Sequence, residues 1–187
     1  MTDGVKVDVR RSGRRFEAEA VFDLGADAQT VWDTITDYDA LPRFMPGIRS
    51  CRVLARQVSV VGEEQLVVEQ LGEFRFMLFA QAITLHLSIT HQLLRVAEAK
   101  AVHFNPGLFK RRAIEVFEGR YELTPLVTLG EVPRTQVRYT SQIGLWLPPP
   151  PAIGSVAVRQ NLAAQLEAVA KEVARRSNPV ASPRGHW

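Results

Sequence analysis

Disulfide pairs, metal-ligand clusters and long apolar runs are what this 187-residue chain has least of. The single cysteine, Cys51, finds no second cysteine in the chain, which excludes an internal disulfide framework and a cysteine-based zinc site. A reducing cytoplasm is the simplest setting for such a chain. The histidines His86, His91, His103 and His186 show no ligand spacing, and His86 and His91 fall on opposite faces of a regular strand. No G-x-S-x-G elbow surrounds Ser155. Between Leu66 and Phe76 Gly72 stands alone, too few glycines for backbone N–H groups to cradle a phosphate. The greasiest stretch, residues 74–89, is interrupted by Arg75, Gln81, Thr84, His86 and Ser88, whereas a spanning helix needs about 20 mostly apolar residues. The first residues are charged and lack the apolar core of a signal peptide. These absences give no metal, no cofactor and no catalytic residue to nominate.

Charge is next. The pI of 9.3 suggests nucleic acid, but the basic excess sits at the two ends. Lys6, Arg10, Arg11, Arg14 and Arg15 outweigh Asp3 and Asp8, and Arg175, Arg176 and Arg184 face no acid after them. The stretch between is mildly acidic. A nucleic-acid footprint is a basic patch on the fold itself, so DNA is not an expected partner. The length suits one domain able to bury roughly 70% of its unfolded surface without a staple. We place that domain at residues 15–176, with a flexible segment at 1–14 and a disordered tail at 177–187. Val5, Val7 and Val9 alternate, however, and leave an edge strand open for the N-terminal piece.

Phe16, Ala18, Ala20, Phe22 and Leu24 alternate with charged residues, the period of a strand with one buried face. Asp27 can cap a short helix running to Tyr38, and a second helical turn follows Asp39 until Pro46-Gly47 ends it. Residues 53–61, 65–71, 74–90, 95–104, 114–124 and 135–147 then read as strands in an antiparallel meander. After the prolines at 148–151, Val158, Leu162, Leu166, Val169 and Val173 step by three and four, a helix of about 21 residues. At roughly 32 Å it matches a ten-residue strand and can lie across a sheet. The class is α+β.

This order resembles the helix-grip fold of the START and polyketide cyclase/dehydrase superfamily. Residues 31–54, VWDTITDYDALPRFMPGIRSCRVL, resemble the opening motif of its coenzyme Q-binding branch through the spacing of Asp37-Tyr38, Leu41-Pro42 and Met45-Pro46-Gly47. Residues 102–125 resemble that branch's central hairpin and residues 134–149 its last strand. The resemblance implies a curved antiparallel sheet of about six or seven strands wrapped around the long C-terminal helix, with an apolar cavity between them. Relatives bind isoprenoid quinones, sterols, lipids or polyketides, and one bacterial branch is a ribosome-association toxin.

In that frame the aromatics become cavity candidates. Phe74 and Phe76 share one face, Phe117 and Tyr121 share another with Gly119 between them, and Tyr139 lies on the last strand. A ring could stack at the gap beside Gly119 with the Tyr139 hydroxyl as a polar handle. His103 follows Ala97, Ala99 and Ala101 on one face, while Leu162 and Leu166 come from the helix. Ten buried isoprenoid carbons would contribute up to about 8 kcal/mol before ordering costs, with no catalytic group involved. Leu41, Phe44 and Met45 form one apolar loop at the expected mouth, and Leu108 with Phe109 another. Lys110, Arg111 and Arg112 follow, an arrangement suited to touching an anionic bilayer. The alternative is a hairpin tip folded back on the core with its cations solvated.

The leading expectation is therefore a non-enzymatic carrier of a hydrophobic small molecule, an isoprenoid quinone or lipid, in a cytoplasmic protein that can meet the membrane peripherally. A cyclase or dehydratase acting on a polyketide in the same cavity would draw on Tyr121, Tyr139 and His103. A ribosome-directed module using the basic ends is the third reading. Oligomeric state is not legible.

Overall fold

The computed structural model describes residues 5–76, 79–102, 114–126, 132–146 and 150–178. In chain order the elements are β1 (Asp8–Ser12), β2 (Arg15–Leu24), α1 (Ala28–Ile35), α2 (Leu41–Phe44), β3 (Ile48–Val58), β4 (Glu64–Phe76), β5 (Phe79–Gln92), β6 (Val96–Ala101), β7 (Ile114–Leu126), β8 (Arg134–Leu145) and α3 (Pro151–Ser177). The strands form one antiparallel sheet of eight in the order β1-β2-β8-β7-β6-β5-β4-β3, with α3 packed against it. This is the α+β helix-grip architecture, a meander from β3 to β8 completed by the first two strands. The eighth strand is β1: residues 8–12, inside the stretch expected to be flexible, pair with β2 from Asp8–Glu19 to Ser12–Arg15.

Side-chain alternation decides the faces. In β2, Phe16, Ala18, Ala20 and Leu24 are buried while Glu17, Glu19 and Asp23 turn outward. In β5, Leu87, Ile89 and His91 point inward and His86 outward, beside Glu69 at 3.3 Å. β3 starts earlier than its pattern suggested because register shifts at Ile48/Ser50 and Val53/Ala55 break the period of two. The run expected as one strand over residues 74–90 divides instead. Phe74 to Phe76 belong to β4 and Phe76 pairs with Phe79 of β5, and no glycine, proline or asparagine stands between them in the sequence to announce the division.

Local chemistry sets the helix ends. Asp27 caps α1 by accepting a hydrogen bond from the Thr30 N–H at 2.7 Å. The helix stops at Ile35, short of Tyr38, and the following turn aims Tyr38 inward. α3 is longer than expected, 27 residues or about 40 Å, because Pro151 occupies its first turn, where no N–H is required. Arg175 and Arg176 close its last turn and complement the helix dipole.

Three buried clusters share the space between sheet and helices. One joins α1 and the C-terminal half of α3 to β2, β6, β7 and β8 through Trp32, Val137, Val169 and Val173. The second packs Phe16, Ala18, Ala20 and Tyr139 under Val158, Leu162 and Leu166 of α3. The third surrounds Tyr38 and Leu41 with Cys51, Leu66, Val68, Leu87 and Ile89. Tyr121 and Phe22 each touch the first two clusters, and Phe44 and Met45 each touch the first and third.

Candidate functional site

The inner faces of β7 and β8 bring four of the expected cavity residues together. Tyr121 and Tyr139 are cross-strand partners with ring centroids 4.8 Å apart. One step along, Gly119 pairs with Ser141, and beyond them Phe117 pairs with Ile143. Continuing the middle row sideways gives Ala18 on β2 and Ala99 on β6. Four adjacent strands thus place Ala18, Ser141, Gly119 and Ala99 in line, a row of small side chains between rows of larger ones. Leu162 and Leu166 of α3 lie in the same cluster as Tyr139. The space beside Gly119 is filled in this structure: a Cβ there would sit 3.2 Å from the Phe117 ring and 3.6 Å from the Tyr139 hydroxyl. Glycine is what lets both lean across the row.

This floor is neutral. Desolvation pushes the Tyr139 hydroxyl above its ordinary pKa, partly offset by the neighbouring Ser141 hydroxyl. Desolvation likewise drives Tyr121 well above 10, with smaller contributions from Tyr139 and Tyr38. Both phenols are hydrogen-bond donors at neutral pH and not bases. Their strands' charges stand on the opposite face, tied as Arg138–Glu19 at 2.7 Å, Arg120–Glu98 at 3.1 Å and Lys100–Glu98 at 2.9 Å. A concavity of about 670 Å³ is lined by Glu17, Glu19, Glu118 and Arg120, by Arg159 of α3 and by Ala18, Gly119 and Ser141 of the row, and its charges suit no apolar ligand.

The other expected residues scatter. Phe74 is half-buried near the far end of β4, paired with Gln81. The side chain of Phe76, and His103, Leu108, Phe109, Lys110, Arg111 and Arg112, lie outside the described residues. Leu41 is buried against the β3–β5 cluster, whereas Phe44 and Met45 are partly buried and bridge two clusters. Cys51 is buried too, its thiol pushed up to about 11 by burial and by Asp39, so it is no nucleophile at neutral pH.

Sequence reasoning missed one constellation. His91, 5% exposed, holds the Tyr38 hydroxyl on Nε2 at 2.7 Å and Glu64 Oε2 on Nδ1 at 2.8 Å. Both ring nitrogens are thus engaged, Nδ1 with the Glu64 carboxylate and Nε2 with the Tyr38 hydroxyl. Glu64 also meets Arg56 at 3.1 Å, and Trp32 sets its ring edge against His91 at 5.2 Å. The neighbouring Asp37 receives Arg176 of α3 at 3.0 Å. Asp37 and Tyr38, adjacent in sequence, therefore anchor the α1–α2 segment to the helix and to the sheet. The signal was present in the run Leu85, Leu87, Ile89, His91: a histidine closing an apolar face needs a partner. Among the described residues no three His, Cys, Asp or Glu side chains are grouped to hold a metal ion. Nor is any described helix long and apolar enough to cross a membrane.

Residues 24–176 match the family described as polyketide cyclase / dehydrase and lipid transport. The chain belongs to this family. Solved structures agree on the fold. A START superfamily protein from Mycobacterium smegmatis aligns with TM-score 0.66 at 16% identity, over 85% of this chain and 97% of its own. The Zhui aromatase/cyclase from Streptomyces sp. R1128 aligns with TM-score 0.65 at 18% identity, over 90% and 99%. Human STARD10 aligns with TM-score 0.68 at 14% identity, over 94% and 71%. No curated protein matches the chain in sequence.

Proposed function

We propose that this protein binds and carries a hydrophobic small molecule between its sheet and α3, without chemical change. The observation that carries the reading is the neutral aromatic floor of Tyr121 and Tyr139 beneath Leu162 and Leu166, with Arg120 and Arg138 of the same strands paired on the outer face. Membership of a family described by lipid transport supports it. The resemblance of residues 31–54 to the coenzyme Q-binding branch favours an isoprenoid quinone over other lipids. Phe44, Met45 and the 108–112 loop are the proposed mouth, through which the ligand passes to and from a bilayer.

Native mass spectrometry of freshly purified protein, followed by organic extraction, tests this. A copurifying quinone or lipid, or one-to-one binding of added decylubiquinone, is the expected result. Protein that emerges bare and ignores both decylubiquinone and a fluorescent lipid probe overturns it.

A cyclase-like activity is the second reading, favoured by the juxtaposition of Tyr121 and Tyr139 and by the likeness to the Zhui aromatase/cyclase. Both phenols would donate hydrogen bonds to β-keto carbonyls, leaving proton abstraction to another group. Turnover of a poly-β-keto thioester that disappears in Tyr121→Phe and Tyr139→Phe would carry this reading over the first.

A further inference from the structure

The buried polar residues of the described chain are Thr34, His91, Thr135, Ser141 and Glu172. Four have partners. Thr34 donates to the Thr30 carbonyl at 2.8 Å and Thr135 to the Ala26 carbonyl at 2.9 Å. His91 uses both ring nitrogens, and Glu172 accepts from Arg175 and Arg176. The Ser141 Oγ has none, although it is 7% exposed and sits in the middle of the small-residue row. The Ser141 hydroxyl lowers the pKa of the neighbouring Tyr139, although no hydrogen bond of good geometry joins the two. A native fold rarely strands a buried hydroxyl, because the lost hydration is not recovered. Alanine at this position would pack as well.

We infer that Ser141 and Tyr139 form the polar subsite of the ligand cavity, specific for a neutral oxygen, a carbonyl or hydroxyl on an otherwise apolar molecule. The assignment deepens the carrier reading above and rests on it. Ser141 can donate to and accept from such an oxygen, and Tyr139, kept protonated by desolvation, donates to it. Phe117, leaning over Gly119, covers the subsite when it is empty and swings aside when the ligand enters. The same surroundings reject an ionised group. The cations on the strands that carry the row, Arg120, Arg138 and Lys100, are engaged on the other side of the sheet. A carboxylate or phosphate placed here would lose its hydration and gain no counter-charge.

The test uses three probes of equal chain length, dodecan-2-one, dodecan-1-ol and dodecanoate, titrated calorimetrically into the full chain at about pH 8, where dodecanoate is ionised. The expected result is binding of the ketone and the alcohol at least tenfold tighter than the carboxylate. Ser141→Ala and Tyr139→Phe each weaken the ketone roughly three- to tenfold, the range of one hydrogen bond. Each leaves dodecane binding unchanged, and Ser141→Ala leaves the thermal midpoint of the free protein equal or higher. If no probe binds the wild type, the carrier reading fails and takes the subsite with it. If the probes bind but dodecanoate matches the ketone, or the two variants lower all ligands including dodecane alike, the subsite assignment alone is overturned.

Discussion

Replacing Tyr38 with phenylalanine isolates one hydrogen bond in the buried relay. The phenyl ring keeps its packing against Leu41 and Cys51, so the change removes the hydroxyl 2.7 Å from His91 Nε2 and little else. With His91 5% exposed, water cannot take the place of that hydroxyl, and Nε2 is left buried without a partner. The cost of such a group is about 1–3 kcal/mol. For a domain of this size each kcal/mol moves the melting midpoint by roughly 2–4 °C, so a fall of about 2–12 °C is expected. Urea denaturation at neutral pH measures it, with the midpoint lowered and the slope unchanged. His91→Leu removes the other end. If the relay is real, Tyr38→Phe and His91→Leu together cost clearly less than the sum of the two, because neither leaves a stranded partner once both are gone. A Tyr38→Phe protein within about 0.5 kcal/mol of the parent, or a double variant that is additive, would refute the reasoning.

Other expectations follow from single contacts. Gly72→Ala would place a Cβ 2.5 Å from the Gly47 carbonyl oxygen, a backbone atom, so the start of β3 must part from β4. Calorimetry should record a loss of about 2 kcal/mol or more, well beyond an ordinary surface substitution. Leu166→Ala, at a position 1% exposed beneath the helix, should cost about 2–5 kcal/mol in denaturant unfolding unless the aromatic floor collapses into the space. Hydrogen bonds from Arg175 and then Arg176 hold Glu172 down from 4.5 to about 2. A lowered carboxylate contributes stability that is complete above its unfolded pKa and lost as pH falls toward the folded one. Unfolding free energy should therefore fall between about pH 4.5 and 2, and Glu172→Gln should flatten that part of the profile.

The sheet and the long helix were legible because their signals are local. Alternation in residues 16–24 and in Leu85, Leu87, Ile89 and His91 names the inner face before any partner is known, and the steps from Val158 to Val173 name the buried stripe of α3. The same arithmetic put Phe117, Gly119 and Tyr121 on one face, the family resemblance made them and Tyr139 cavity candidates, and pairing of β7 with β8 set them side by side. Other features gave less. The alternation of Val5, Val7 and Val9 left an edge strand open, and pairing with β2 set β1 at residues 8–12. The bulges of β3 hide its period, and no turn residue separates β4 from β5 in the sequence. The chemistry was harder still to read. Tyr38 and His91 are 53 residues apart and Glu64 lies 27 from His91, so their relay exists once two strands and a loop have met. Ser141 is an unremarkable serine in sequence; its stranded hydroxyl is a property of what surrounds it. Backbone periodicity is written along the chain and survives without tertiary contacts. Hydrogen-bond satisfaction is a relation between distant groups, and the packed fold alone assigns the partners.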